Sequence, residues 1–125
     1  MTSKMVDWKI QPNTNTGLKY RVRKYGAKYY GVEYQIIDDS KTASSKGSTA
    51  AIYDLAGPNV AKNLNPPGNW NTAKIVADGT VLKHYLNGDL VSEITTLGPA
   101  WDSSLAVSKF WGLENFGQPI AGDRI

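Results

Sequence analysis

The sequence predicts an all-β domain of antiparallel strands, and three stretches carry that expectation. Residues 30–39 alternate apolar Val32, Tyr34 and Ile36 with polar Glu33 and Gln35, the period of a strand with one face on a core. Residues 18–23 alternate in the same way, with Leu18, Tyr20 and Val22 against Lys19, Arg21 and Arg23. Residues 70–94 carry two hairpin dipeptides, Asp78-Gly79 and Asn87-Gly88, at the spacing of a three-strand meander.

Taken in chain order, residues 5–10 alternate weakly and read as a first strand, closed by Pro12 and the turn-forming run 13–17. If residues 25–29 close a hairpin, Leu18 meets Ile36, Tyr20 meets Tyr34 and Val22 meets Val32, so the apolar faces match row for row. That register sets Arg21 opposite Glu33 and Lys19 opposite Gln35. The resulting polar strip reads either as a ligand-facing surface or as a solvated one whose ion pair is worth about 0 to 1 kcal/mol.

Residues 40–49 hold no large apolar side chain and form a long loop. Residues 50–55 read as a short buried strand or turn from which Tyr53 and Asp54 reach the same cleft, although a structural tyrosine reads the same way. Gly57-Pro58 and residues 65–68 punctuate a second loop that delivers Trp70. With Asp78-Gly79 as a two-residue loop, Val76 pairs with Val81, Lys74 with Lys83 and Ala73 with His84. Asn87-Gly88 then pairs Leu86 with Asp89, Tyr85 with Leu90 and His84 with Val91. Both faces come out mixed, so the pattern leaves open which one is buried. Residues 103–110 suggest a short helix or turn capped by Asp102, followed by coil. Trp70, Trp101 and Trp111 lie on or near loops and suit sugar stacking; four tryptophans are also good core material, and most are expected to be buried.

At 125 residues the chain reads as one domain, 1–125, long enough to bury a core without metals or disulfides. It has no cysteine, so redox compartment is not legible. Fourteen basic against eleven acidic residues give +3, with no Lys/Arg block, which argues against nucleic acid as a partner. Lys19, Arg21, Arg23 and Lys24 alternate along a strand, which fits a solvated or ligand-facing side better than a phosphate track. No apolar run nears the roughly 18 residues of a membrane-spanning helix, and the N-terminus lacks the apolar core of a signal peptide. No membrane partner is therefore expected.

The run Glu33-Tyr34-Gln35-Ile36-Ile37-Asp38-Asp39 is preceded by Asn15-Thr16-Gly17-Leu18-Lys19-Tyr20-Arg21. It is followed by Pro66-Pro67-Gly68-Asn69-Trp70-Asn71 and by His84-Tyr85-Leu86-Asn87-Gly88. Together these motifs resemble the 3-keto-disaccharide hydrolase family, over about residues 8–110. The resemblance implies an antiparallel β-sandwich, a jelly roll of the concanavalin A-like type. It implies an oligosaccharide or 3-keto-glycoside as partner, no cofactor, and an extracytoplasmic setting, periplasmic or secreted. Family members carry further strands before the equivalent of residues 6–10. They also continue beyond the equivalent of 122–125 through a Gln-Asp-His-Gly strand and a closing Phe-Arg-Asn strand. The chain is thus expected to be the middle of a longer family domain, with open sheet edges through which copies could pair.

Chemistry can be constrained further. Conventional glycoside hydrolysis needs two carboxyls roughly 5 to 9.5 Å apart. Glu33 and Asp38, five positions apart on one strand, point to opposite faces at about 16 Å and are not that pair. Glu33 could combine with Asp54, Asp102 or Glu93 only through loop contacts. A 3-keto sugar has an acidified C2 proton, so a single base could start an elimination. Under the resemblance, Glu33 or His84 is that base, and Arg21 with Lys74 or Lys83 stabilises the enolate. Gln35, Asp38, Asn71 and Trp70 complete the expected substrate contacts. His84 is the only histidine; a satisfied core residue reads equally well, and one histidine argues against a self-contained zinc site. A hard cation on Asp38, Asp39 or backbone carbonyls has no support in the pattern, and no metal is expected. The competing reading is a carbohydrate-binding sandwich without chemistry.

Overall fold

A computed structural model describes residues 1–39, 45–59 and 61–121. Part of the expected loop, 40–44, and the end of the chain, 122–125, lie outside the described residues. Among the described residues the elements run β1 (Thr2–Trp8), β2 (Asn15–Tyr25), β3 (Lys28–Ile37), β4 (Asn71–Asp78), β5 (Val81–Leu86), β6 (Asp89–Thr95) and α1 (Pro99–Ala106). One antiparallel sheet has the order β1-β4-β5-β6; the β2-β3 hairpin forms the other. Residues 50–56 extend the hairpin along the free edge of β3 as a turn, Ile52 bridging both Tyr34 and Ala56.

The two sheets bury their apolar faces against one another. Tyr20, Val32, Tyr34 and Ile36 from the hairpin meet Ala73, Ile75, Ala77, Leu82 and Leu86 from β4 and β5. Strict alternation on β5, with Leu82, His84 and Leu86 buried, decides the face that the sequence pattern left mixed. Trp101, Phe110 and Phe116 close one end, the two phenylalanine rings stacked at 4.3 Å. The predicted antiparallel β-sandwich is therefore observed.

Register departs from expectation in three places, each with a local cause. Tyr25 pairs with Lys28 across a two-residue Gly26-Ala27 turn, and a bulge lies between Tyr20 and Arg23. Leu18 consequently meets Tyr34, Tyr20 meets Val32 and Lys19 meets Glu33. A slip of two preserves the faces of β2 up to Tyr20. Beyond it the bulge exchanges them: Arg21, at φ 50, turns inward to 4% exposure and Val22 turns out to 40%. The expected Arg21/Glu33 pair does not form.

In the first β4-β5 turn the loop residues are Gly79-Thr80, with positive φ at Gly79 only, and Asp78 pairs with Val81. Lys74 then faces Tyr85 and Lys83 faces Val76, which removes the lysine–lysine opposition of the predicted register. Asn87 and Gly88 both have positive φ, as a type I′ turn requires, and Leu86/Asp89 and Tyr85/Leu90 pair as expected. A bulge after His84 places it opposite Ser92 instead of Val91.

The helix starts four residues earlier than predicted. Pro99 occupies its first turn, where a missing N–H costs nothing, and Gly98 before it holds φ 96 and ψ 179, a conformation open to glycine. Asp102 lies inside the first turn and makes no side-chain cap. Trp8 and Trp101 are buried while Trp70 and Trp111 are exposed, so two of the four tryptophans face solvent. No helix of the described residues is long and apolar enough to cross a membrane.

Candidate functional site

Because successive residues of a strand point to opposite faces, the sandwich distributes the strand-borne site residues over three places, the core, the outer face of the β1-β4-β5-β6 sheet and the outer face of the hairpin sheet, while Asp38 and Trp70 lie on loops. His84 belongs to the core. It is fully buried, between the Tyr34 ring at 4.7 Å and the Tyr20 ring at 5.6 Å. Nδ1 lies 3.0 Å from the Ala50 carbonyl and Nε2 lies 2.7 Å from the Tyr20 hydroxyl. A carbonyl only accepts, so Nδ1 carries the proton and donates to it, and Nε2 accepts from Tyr20. Burial depresses the His84 pKa from 6.5 to about 4 and pushes the Tyr20 and Tyr34 hydroxyls upwards. With both nitrogens engaged and no exposed surface, His84 is placed as a structural group and not as a solvent-facing base.

Arg21 is likewise turned into the structure. Its guanidinium donates to the Gly117 carbonyl at 2.9 Å and to the Gly79 carbonyl at 2.7 Å, tying the chain's last described turn and the β4-β5 turn to the hairpin. Asn71, 2% exposed, accepts from the Asn65 backbone N–H, donates back to the Asn65 carbonyl, and accepts from Asn87 Nδ2. Asp38 accepts from the Asn13 backbone N–H. Its neighbour Asp39 forms a buried ion pair with Lys62 and accepts from the Thr49 N–H.

Lys74 and Lys83 stand on the outer face of the four-stranded sheet. They line a groove of about 290 Å³ with Ser3, Val76, Asp78, Val81 and Tyr85, and Lys74 Nζ sits 5.2 Å from the centre of the Tyr85 ring. Glu33 and Gln35 alternate with the core residues Tyr34 and Ile36 and so face outward from the other sheet. Glu33 and the two lysines therefore lie on opposite sides of the sandwich, two sheets about 10 Å apart. They are not brought together.

What the fold does assemble around Glu33 is a row across three neighbouring segments. Lys19 on β2 is its cross-strand partner, and the Tyr53 N–H donates to the Glu33 carbonyl at 2.9 Å, which aligns Tyr53 on its other flank. Lys109 Nζ lies 4.6 Å above the Tyr53 ring, with its backbone N–H held by Asp54 Oδ2 at 2.8 Å. Glu33 itself is half-buried, its carboxylate lying over Gly17, where the absent side chain leaves room. Gln35 is 3% exposed, and its Nε2 donates to the Gly47 carbonyl, so it anchors the segment that follows the long loop. The sequence put Tyr53 and Asp54 near a cleft and Lys19 in a polar strip, but opposite Gln35 because of the slipped register; Lys109 it did not reveal, because its contact joins distant loops. Among the described residues no cluster of three or more metal-ligating side chains exists.

The architecture is shared with solved proteins. A crystal structure described as a glycosyl hydrolase of Parabacteroides distasonis superposes with a TM-score of 0.77 at 27% identity, over 92% of this chain and 57% of that one. A second, so described and from the same organism, gives 0.60 at 28% identity, over 75% of this chain and 50% of that one. The class is thus a glycosidase-like β-sandwich. Residues 4–121 match the model of the 3-keto-alpha-glucoside-1,2-lyase-like domain, and the chain belongs to that family. A curated relative, the 3-keto-disaccharide hydrolase of Bacteroides thetaiotaomicron, is 31% identical over 124 residues, 84% of this chain and 42% of the relative. The chain spans about half the length of these relatives.

Proposed function

We propose that this domain cleaves the glycosidic bond of 3-keto-glycosides, with Glu33 as the base. The observation that carries the reading is the row Lys19–Glu33–Tyr53, a solvent-reachable carboxylate with a cation on one flank and a lysine-capped phenol on the other. In a 3-keto sugar the ketone acidifies the C2 proton. Glu33 takes that proton; the electrons of the C2–H bond pass through the enolate into a C1–C2 double bond, and the aglycone leaves C1 with its oxygen, which is then protonated. The charge that develops on the C3 oxygen is met by Lys19 or by Tyr53 with Lys109, in place of Arg21, Lys74 and Lys83, which face elsewhere. The substrate is a carbohydrate, and the setting extracytoplasmic, periplasmic or secreted; both rest on the family likeness, and cell fractionation of the native host tests the second.

The test is an NMR time course of the folded chain with a 3-keto-disaccharide beside its unoxidised parent. Cleavage of the keto sugar alone is expected, and Glu33→Gln should lower its rate by 100-fold or more with an unchanged melting temperature. Full activity in that variant would remove Glu33 from the role.

A further inference from the structure

Trp70 has no part in the row around Glu33, yet it is exposed and carried on a backbone held by several hydrogen bonds. It is 61% exposed, directly before β4, on a loop that is held in place from several directions. The Asn65 side chain donates to the Trp70 carbonyl at 2.9 Å, and Asn71 grips the Asn65 backbone at both its N–H and its carbonyl. The Gly68 N–H reaches the Ile10 carbonyl at 2.8 Å, and Asn69 donates to the Pro66 carbonyl from both its backbone and its side chain. Asn87, at the adjoining hairpin turn, donates to Asn71 and to the Asn63 carbonyl. Lys9 Nζ stands 5.0 Å from the centre of the indole.

Exposing an indole forgoes the burial that so large an apolar ring usually finds. Here an asparagine network anchored on the buried Asn71 fixes the backbone that displays it, so the entropy of ordering the platform is already met before any ligand arrives. The second exposed tryptophan makes the contrast: Trp111 is 64% exposed, in a turn where its own N–H makes a 3.4 Å bond to Ser108 and no ring contact is present among the described residues.

From this we infer that Trp70 is a carbohydrate-stacking subsite, separate from the Glu33 row, that holds a neutral pyranose ring of an oligosaccharide. Such a ring offers a C–H face to the side of the indole opposite the one that Lys9 Nζ covers, with its hydroxyls at the edge. The loop adjoins the end of the sandwich where β3 finishes. Glu33 lies four residues back along that strand, its carboxylate over Gly17, the partner of Gln35. The proposal rests on a carbohydrate ligand but not on the cleavage chemistry.

It is tested by tryptophan fluorescence and NMR titration of the Glu33→Gln chain with maltohexaose, cellohexaose and laminarihexaose, each beside its disaccharide. Saturable binding of at least one hexasaccharide is expected, weakened at least tenfold by Trp70→Ala and unchanged by Trp111→Ala, with the disaccharide bound more weakly. Absence of saturable binding by every hexasaccharide overturns the inference, as does equal binding by Trp70→Ala. So does a change of oligomeric state in Trp70→Ala without sugar binding, which would make the indole a protein contact. Loss of keto-sugar cleavage in the parent chain would strike the catalytic reading and leave this one standing.

Discussion

His84 turns the core into a pH sensor whose size can be worked out. In the unfolded chain its imidazole takes a proton below about pH 6.5, whereas in the folded chain burial delays this to about 4. Between those values the unfolded state holds more protons, so stability is complete above about pH 6.5 and falls as pH falls. The difference of about 2.5 in pKa, at 1.36 kcal/mol for each, sets the full loss at about 3 kcal/mol, of which ~2 is already gone at pH 5. As the only histidine it gives one imidazole signal, so NMR titration reads its pKa directly. Urea unfolding at pH 7.5, 6 and 5 reads the energy. His84→Gln, which keeps a donor for Ala50 and an acceptor for Tyr20, should be flat over the same window apart from the carboxylate contribution common to both. A wild-type pKa above 6, or a pH dependence identical to that of the glutamine variant, would refute the derivation. If the variant does not fold, the NMR pKa alone decides.

Two further outcomes follow from individual contacts. A Cβ at position 17 would come within 2.7 Å of Glu33 Cδ; Gly17→Ala should displace the carboxylate, cutting keto-sugar cleavage on the order of tenfold or more with little change in melting temperature. Unchanged activity would show that the position of Glu33 over Gly17 is irrelevant to turnover. Lys62 and Asp39 pair with side chains only 3% and 7% exposed. Lys62→Met leaves a buried carboxylate without its cation and should cost roughly 3–5 kcal/mol in denaturant unfolding; a loss below 1 kcal/mol would mean that Asp39 finds water or another donor.

The stacking of side chains by period is what the chain reveals without its structure. Alternation in residues 18–20 and 32–36 named the inward residues Tyr20, Val32, Tyr34 and Ile36, because a strand has no other way to bury every second side chain. Asn87-Gly88 predicted its turn and the first two pairs beyond it, because both residues need positive φ and few sequences tolerate that. The family was equally legible, since its motifs are contiguous. Bulges were not. One extra residue at Arg21 reverses the faces of the strand beyond it, and the residue that looked like a ligand-facing cation became a clamp on two carbonyls. The same kind of local irregularity moved His84 one pair along β6. Its burial was decided by Tyr20, Tyr34 and Ala50, groups 34 to 64 positions away in the chain. Only the stacking of one sheet on the other could show that Glu33 and the lysines at 74 and 83 look in opposite directions. Periodicity reports which side of a strand a residue occupies, but which side becomes core, and which two surfaces end up on one face of the protein, is determined by contacts between segments far apart in sequence.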